Sequence, residues 1–159
     1  MSVARALRPS SVDTGLATLV WVDAREAVLA RWVHGEIAID RISSTVPVHT
    51  RAIGHIRHDP GVRHGGGLDQ RALDHQRDEH IARFLDEVQA ALPDAGPIEI
   101  LGPGTIRERL ARGVDEADGR AGRSARVISG SADHPTDAQL IARLRELVGR
   151  PPRRRRPRT

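Results

Sequence analysis

Two strand-to-helix junctions constrain the fold of this chain more than any other feature. One runs Ile100-Leu101-Gly102-Pro103-Gly104-Thr105-Ile106-Arg107, the other Val127-Ile128-Ser129-Gly130-Ser131-Ala132-Asp133-His134-Pro135-Thr136-Asp137. Each joins an apolar run to a Gly/Pro turn, a capping residue and apolar residues at helical spacing. Where such strands are parallel, their turns open at one edge of the sheet, beyond the carboxyl ends, which is where open α/β sheets usually contact ligands.

The remaining pattern fills in the layers. Leu16–Val22 is nearly all apolar and reads as a buried central strand. Residues 27–33 and 36–42 flank His34-Gly35 as a hairpin, and Ile37 and Ile39 alternate with polar neighbours as on a half-wet face. Asp69 is the expected N-cap of a long helix, with Leu68 and Leu73 as a hydrophobic staple. Its buried stripe is Leu73, Ile81, Phe84, Leu85, Val88 and Leu92, ending before Pro93. A short buried strand follows at Pro97–Leu101. The next helix is expected to start at Thr105, with Glu108 completing a capping box, and to bury Ile106, Leu110 and Val114. Residues 115–124 read as an acidic-then-basic loop. After a strand near Arg126–Ser129, Thr136 and Gln139 form a second capping box. The last helix is lined by Leu140, Ile141, Leu144, Leu147 and Val148 and ends at Gly149. The order β-β-β-α-β-α-β-α predicts a three-layer α/β/α sandwich with a mixed central sheet.

The expected organisation is a flexible leader (1–14), one sandwich domain (15–149) containing a long His/Gly-rich loop (43–68), and an Arg-rich disordered tail (150–159). Among 159 residues there is no cysteine, which excludes a disulfide framework, zinc-thiolate sites and thiol nucleophiles. All 25 basic side chains are arginine, so lysine Schiff-base chemistry is excluded as well. No apolar run reaches a membrane span, and the expected setting is cytoplasmic. The net charge of +4 is segregated. Arg150, Arg153, Arg154, Arg155, Arg156 and Arg158 make the tail +6, whereas residues 16–149 hold 17 Arg against 20 acids. Polyanion affinity is therefore expected in the tail, with phosphate-directed, sequence-tolerant contacts.

Trp21-Val22-Asp23-Ala24-Arg25-Glu26-Ala27, Gly102-Pro103-Gly104 and Ala132-Asp133-His134-Pro135-Thr136-Asp137 together resemble a short bacterial family. Its members are similar to the third domain of archaeo-eukaryotic class-1 release factors and of the rescue factor Pelota, in the superfamily of kink-turn-binding ribosomal proteins. The resemblance spans roughly residues 16–148. It implies the same sandwich, a translation-linked role through the ribosome, rRNA or a partner translation factor, and no catalysis or cofactor. Ala24 departs from the family, where histidine is expected, as does Arg107, where lysine is frequent. Gly65-Gly66-Gly67-Leu68-Asp69-Gln70 superficially resembles the hydrolytic Gly-Gly-Gln loop of release factors but has the wrong spacing.

The candidate site at the sheet edge comprises Asp23, Arg25, Gly102, Pro103, Gly104, Thr105, Arg107, Asp133, His134 and Thr136. Free N–H groups at the helix starts would favour a phosphate or carboxylate, with Arg107 as clamp. The plainer reading is two ordinary turns in which Asp133 satisfies nearby amides. Six of the eight histidines lie between 49 and 80, which makes His55, His58, His64 and His75 metal candidates, although no spacing is diagnostic. Two alternative functions stay open: a metal-dependent hydrolase using that loop, and a protein-interaction scaffold whose acidic body docks a partner.

Overall fold

A computed structural model describes residues 15–45 and 66–149, with the side chains of 66–69 left aside. The expected leader, the Arg-rich tail and residues 46–65, which include His49, His55, His58 and His64, lie outside the described residues. The elements run β1 (Leu16–Val22), β2 (Glu26–Val33), β3 (Glu36–Ser43), α1 (Gly66–Ala90), β4 (Ile98–Leu101), α2 (Gly104–Arg120), β5 (Val127–Gly130) and α3 (Asp137–Leu147). They form a five-stranded sheet of order β3-β2-β1-β4-β5. β1, β4 and β5 are parallel, and the β1–β2–β3 meander is antiparallel, so the sheet is mixed.

Alternation along the strands builds two cores, one on each face. Val20, Val22, Ala27, Leu29, Ile98 and Ile100 pack on one side against Ile81, Phe84, Leu85 and Val88 of α1 and Leu110, Ala111 and Val114 of α2. Ala17, Leu19, Trp21, Val28, Ala30, Trp32 and Leu101 pack on the other side against Leu140 and Leu144 of α3. Two helices on one face and one on the other make the three-layer α/β/α sandwich. β1 is buried on both faces, which is why its sequence is a continuous apolar run. Each of these fully buried Leu or Ile side chains contributes roughly 1.5–3 kcal/mol.

Four local expectations are corrected. Helix α1 begins at Gly66, not after an Asp69 cap, so Asp69 sits inside its first turn and residues 66–68 are helix rather than loop. Residues 70–79 are all exposed, Leu73 included at 52%, so the first turn of the apolar stripe is absent. The physical reason is reach. This end of α1 runs past the core, and intrahelical contacts such as Gln70–Asp74 (3.3 Å) hold it instead. Helix α2 starts at Gly104 behind Pro103, with no side-chain cap; Glu108 meets Arg107 (3.3 Å) instead of closing a box with Thr105. The presumed loop 115–124 is helical to Arg120, because Asp118 falls at helical spacing from Leu110, Ala111 and Val114 and is buried with them.

Asp118 is 1% exposed and holds two arginines. Arg126 donates from Nε to Asp118 Oδ2 (2.8 Å) and from Nη2 to Oδ1 (3.1 Å), while its Nη1 donates to the Pro93 carbonyl (2.7 Å). Arg123 donates from Nε to Asp118 Oδ1 (2.8 Å). The cluster ties the end of α2, the 93–96 turn and the entry to β5 at the amino edge of the parallel strands. Nearby, Gln89 Nε2 donates to the Gly113 carbonyl (3.2 Å) and joins α1 to α2.

The expected capping box of α3 is present. Thr136 Oγ1 accepts from Gln139 N–H (3.3 Å), and the Thr136 N–H donates to Gln139 Oε1 (2.9 Å). Thr136→Ala is expected to cost about 1 kcal/mol, read as a lowered urea midpoint with an unchanged slope.

Candidate functional site

The register Trp21↔Leu101 and Leu101↔Gly130 puts the carboxyl ends of β1, β4 and β5 level. The turns 23–25, 102–104 and 131–136 therefore open side by side. Asp23 closes the first turn: its Oδ1 accepts from the N–H groups of Arg25 (2.7 Å) and Glu26 (2.9 Å). That carboxylate is committed to its own backbone. The Arg25 side chain is exposed and makes no hydrogen bond or ion pair among the described residues.

The second turn lies against the first strand. Gly102 has φ +149°, and a Cβ there would fall 2.0 Å from the Val22 carbonyl oxygen. Only glycine permits β4 to end this close to β1. Arg107, expected to be a clamp, folds back onto the same turn: Nη1 donates to the Gly102 carbonyl (3.4 Å) and Nη2 lies 3.3 Å from Glu108 Oε1. Its Nε is buried without a hydrogen-bond partner. At the start of α2, Gly104 and Thr105 are exposed, and no side chain caps the first-turn N–H groups.

The third turn is latched to the first. Trp21 Nε1 donates to the Ala132 carbonyl (3.3 Å). His134 sits edge-on to the Trp21 ring with centroids 4.3 Å apart, and its Nε2 is 2.8 Å from Glu26 Oε1. Arg41 of β3 pairs with Asp137 at the start of α3. Asp133 is exposed and makes no hydrogen bond among the described residues, so it does not serve the nearby amides. The sequence did not single out Trp21 or Glu26 as partners of His134, because the contact spans 108 residues and no local spacing encodes it.

A cleft of about 340 Å³ opens between the end of β5 and α3, lined among others by Leu101, Ser131, Asp133, His134, Gln139 and Arg143. Arg143 is fixed in it by Glu99, a carboxylate buried in β4, through Nε (3.1 Å to each oxygen) and Nη2 (2.6 Å to Oε1). The hydrogen bond and charge of Glu99 raise the Arg143 pKa above its ordinary value, against the opposing effect of burial.

The structure thus brings together the 21–26, 102–107 and 131–136 motifs. It does not bring Arg107 into contact with Asp23 or Asp133. Of the metal candidates, only His75 is described; it is exposed on α1 with Glu79 3.6 Å away. Among the described residues, no group of three or more His, Cys, Asp or Glu is placed to hold a metal ion. No helix among them is long and apolar enough to cross a membrane.

Fifteen chains of known structure match this one. Among them is the archaeal translation termination factor aRF1, at 13% identity and a TM-score of 0.47, covering 83% of this chain and 34% of that one. Another is the Thermoplasma acidophilum Pelota protein, at 16% identity and a TM-score of 0.40, covering 81% and 34%. The chain spans about a third of the length of each. No family model and no curated protein matches it.

Proposed function

We propose that this chain is a non-enzymatic, cytoplasmic, translation-associated protein that contacts the ribosome, rRNA or a translation factor through the carboxyl edge of its sheet. The carrying observation is that the three motifs of the release-factor resemblance are interlocked there by Trp21, Glu26, Gly102 and His134, through contacts that span up to 111 residues. The exposed contact groups are Arg25, Pro103, Gly104, Thr105 and Asp133, with the free N–H groups of α2 as acceptor-seeking donors. Arg150, Arg153, Arg154, Arg155, Arg156 and Arg158 add phosphate-directed affinity. A role in stress, rescue or hibernation is the sharpest form of this reading and rests on the family analogy.

Ribosome co-sedimentation across a salt series tests it. Wild-type protein is expected to pellet, with a log-log salt slope of roughly −4 to −5 if six arginines meet phosphates. Substituting the six tail arginines with serine should flatten that slope. The double variant Arg25→Glu/Thr105→Glu alters only exposed groups and should reduce pelleting about tenfold at constant stability. Failure of the wild-type protein to pellet at low salt would overturn the reading. Unchanged pelleting by the double variant would remove the sheet edge from it.

A further inference from the structure

β5 (Val127–Gly130) is an outer edge of the sheet and pairs only with β4 among the described residues. The Ile98 N–H donates to the Arg126 carbonyl (3.0 Å), in the register Ile98↔Val127. That bond turns the main-chain groups of Arg126, Ile128 and Gly130 inward, toward β4. Alternation then points the N–H and C=O of Val127 and of Ser129 outward, where they take no hydrogen bond among the described residues.

Edge strands usually carry charges, proline or a bulge that deter pairing. The opposite edge, β3, has Glu36, Asp40 and Arg41. β5 has none of these, and Ile128 is 42% exposed. Ile128 stands level with Glu99 on the face that carries α3. Helix α3 packs mainly over β1 and β2 and α2 lies against the other face of β5, so Ile128 stays open to solvent.

We propose that β5 is a homodimer interface, in which a second copy adds its own β5 antiparallel and extends the sheet across a two-fold axis. The strand is complementary to itself. Val127 and Ser129 flank Ile128 symmetrically, so a two-fold axis at Ile128 sets Val127 of one copy opposite Ser129 of the other. All four outward N–H groups and carbonyls are then paired, and the two exposed Ile128 side chains meet across the axis. The strand carries no charge that would select a charged peptide in place of a second copy. Such an interface is closed and yields dimers, not filaments. Four residues bury much less than the ~1,000 Å² of a stable interface, so association is reversible, with Kd of order 100 µM.

Sedimentation velocity and amide exchange on the full chain, from about 10 µM to about 1 mM, test the proposal. The wild-type protein is expected to shift from monomer to dimer, with the Val127 and Ser129 amides protected only at the high concentration. Ile128→Lys places a charge at the axis and should weaken association at least tenfold. Ser129→Pro removes one outward N–H without touching the β4 ladder, and should do the same. A wild-type monomer at 1 mM would overturn the proposal, as would assemblies larger than a dimer. So would a dimer unaffected by Ile128→Lys, or equal protection of both amides at the two concentrations, which would mean that the edge is already paired within one chain.

Discussion

Gly102→Ala is expected to destabilise the protein by about 4 kcal/mol or more, the largest effect of any single methyl group here. The added carbon would meet the Val22 carbonyl oxygen at 2.0 Å, and that contact is backbone against backbone, so no rotamer change relieves it. β1 and β4 would have to separate at the edge where the three turns converge. Gly104→Ala is the internal control. Its φ is also positive, +62°, but a Cβ there meets nothing within 4 Å, so only the left-handed strain of about 1 kcal/mol should appear. Urea unfolding of the two variants reads the difference directly. Equal losses would show that the β1–β4 approach is not as tight as described.

The second large effect is expected at Asp118. Asp118→Asn keeps the shape but leaves Arg126, 13% exposed, without its counter-charge, and should cost about 3–5 kcal/mol. Arg123→Gln, at a position 34% exposed, should cost about 1 kcal/mol. The pH dependence has a definite sign. Hydrogen bonding from Arg126 holds the Asp118 pKa below the usual carboxylate value; burial opposes this, and Arg123 reinforces it. A depressed folded-state pKa gives stability that is fully present above the unfolded value of about 3.9 and is lost as pH falls through the folded value. The unfolding free energies of wild type and Asp118→Asn should therefore stay far apart near neutrality and converge below about pH 4. A gap that stays constant into acid would mean that the charge of Asp118 is not what stabilises the cluster.

The position of Asp118 also shows where the sequence became hard to read. Leu110, Ala111, Val114 and Asp118 form one helical stripe, so the signal for a continuous α2 was present. It was masked because the stripe ends in a carboxylate, and a charge at a core position is intelligible only once its counter-ions are known. Arg123 and Arg126 lie beyond the helix end. Glu99 is the same case in a strand: its partner Arg143 lies 44 residues away. Leu73 erred in the opposite direction, since an apolar residue at the right helical phase still needs a core beneath it, and α1 begins beyond the sheet's reach. The capping boxes divide likewise. Thr136-Gln139 formed as spaced, whereas at Thr105 the chain entered the helix one residue early, where Gly102 meets β1.

What the sequence determined by itself is what depends on neighbours along the chain. That covers the order of the elements, the burial of β1 on both faces, the β2–β3 turn, the α3 cap and the two junctions, which open at one edge only because the sheet sets their strands parallel. Each follows from a period or a turn within a few residues. The tertiary structure alone decided which groups meet at that edge. It turned Arg107 back onto its own turn, set His134 between Trp21 and Glu26, and left β5 paired on one side only among the described residues. Those outcomes depend on strand register and on distances across the sheet, which no local pattern of residues encodes.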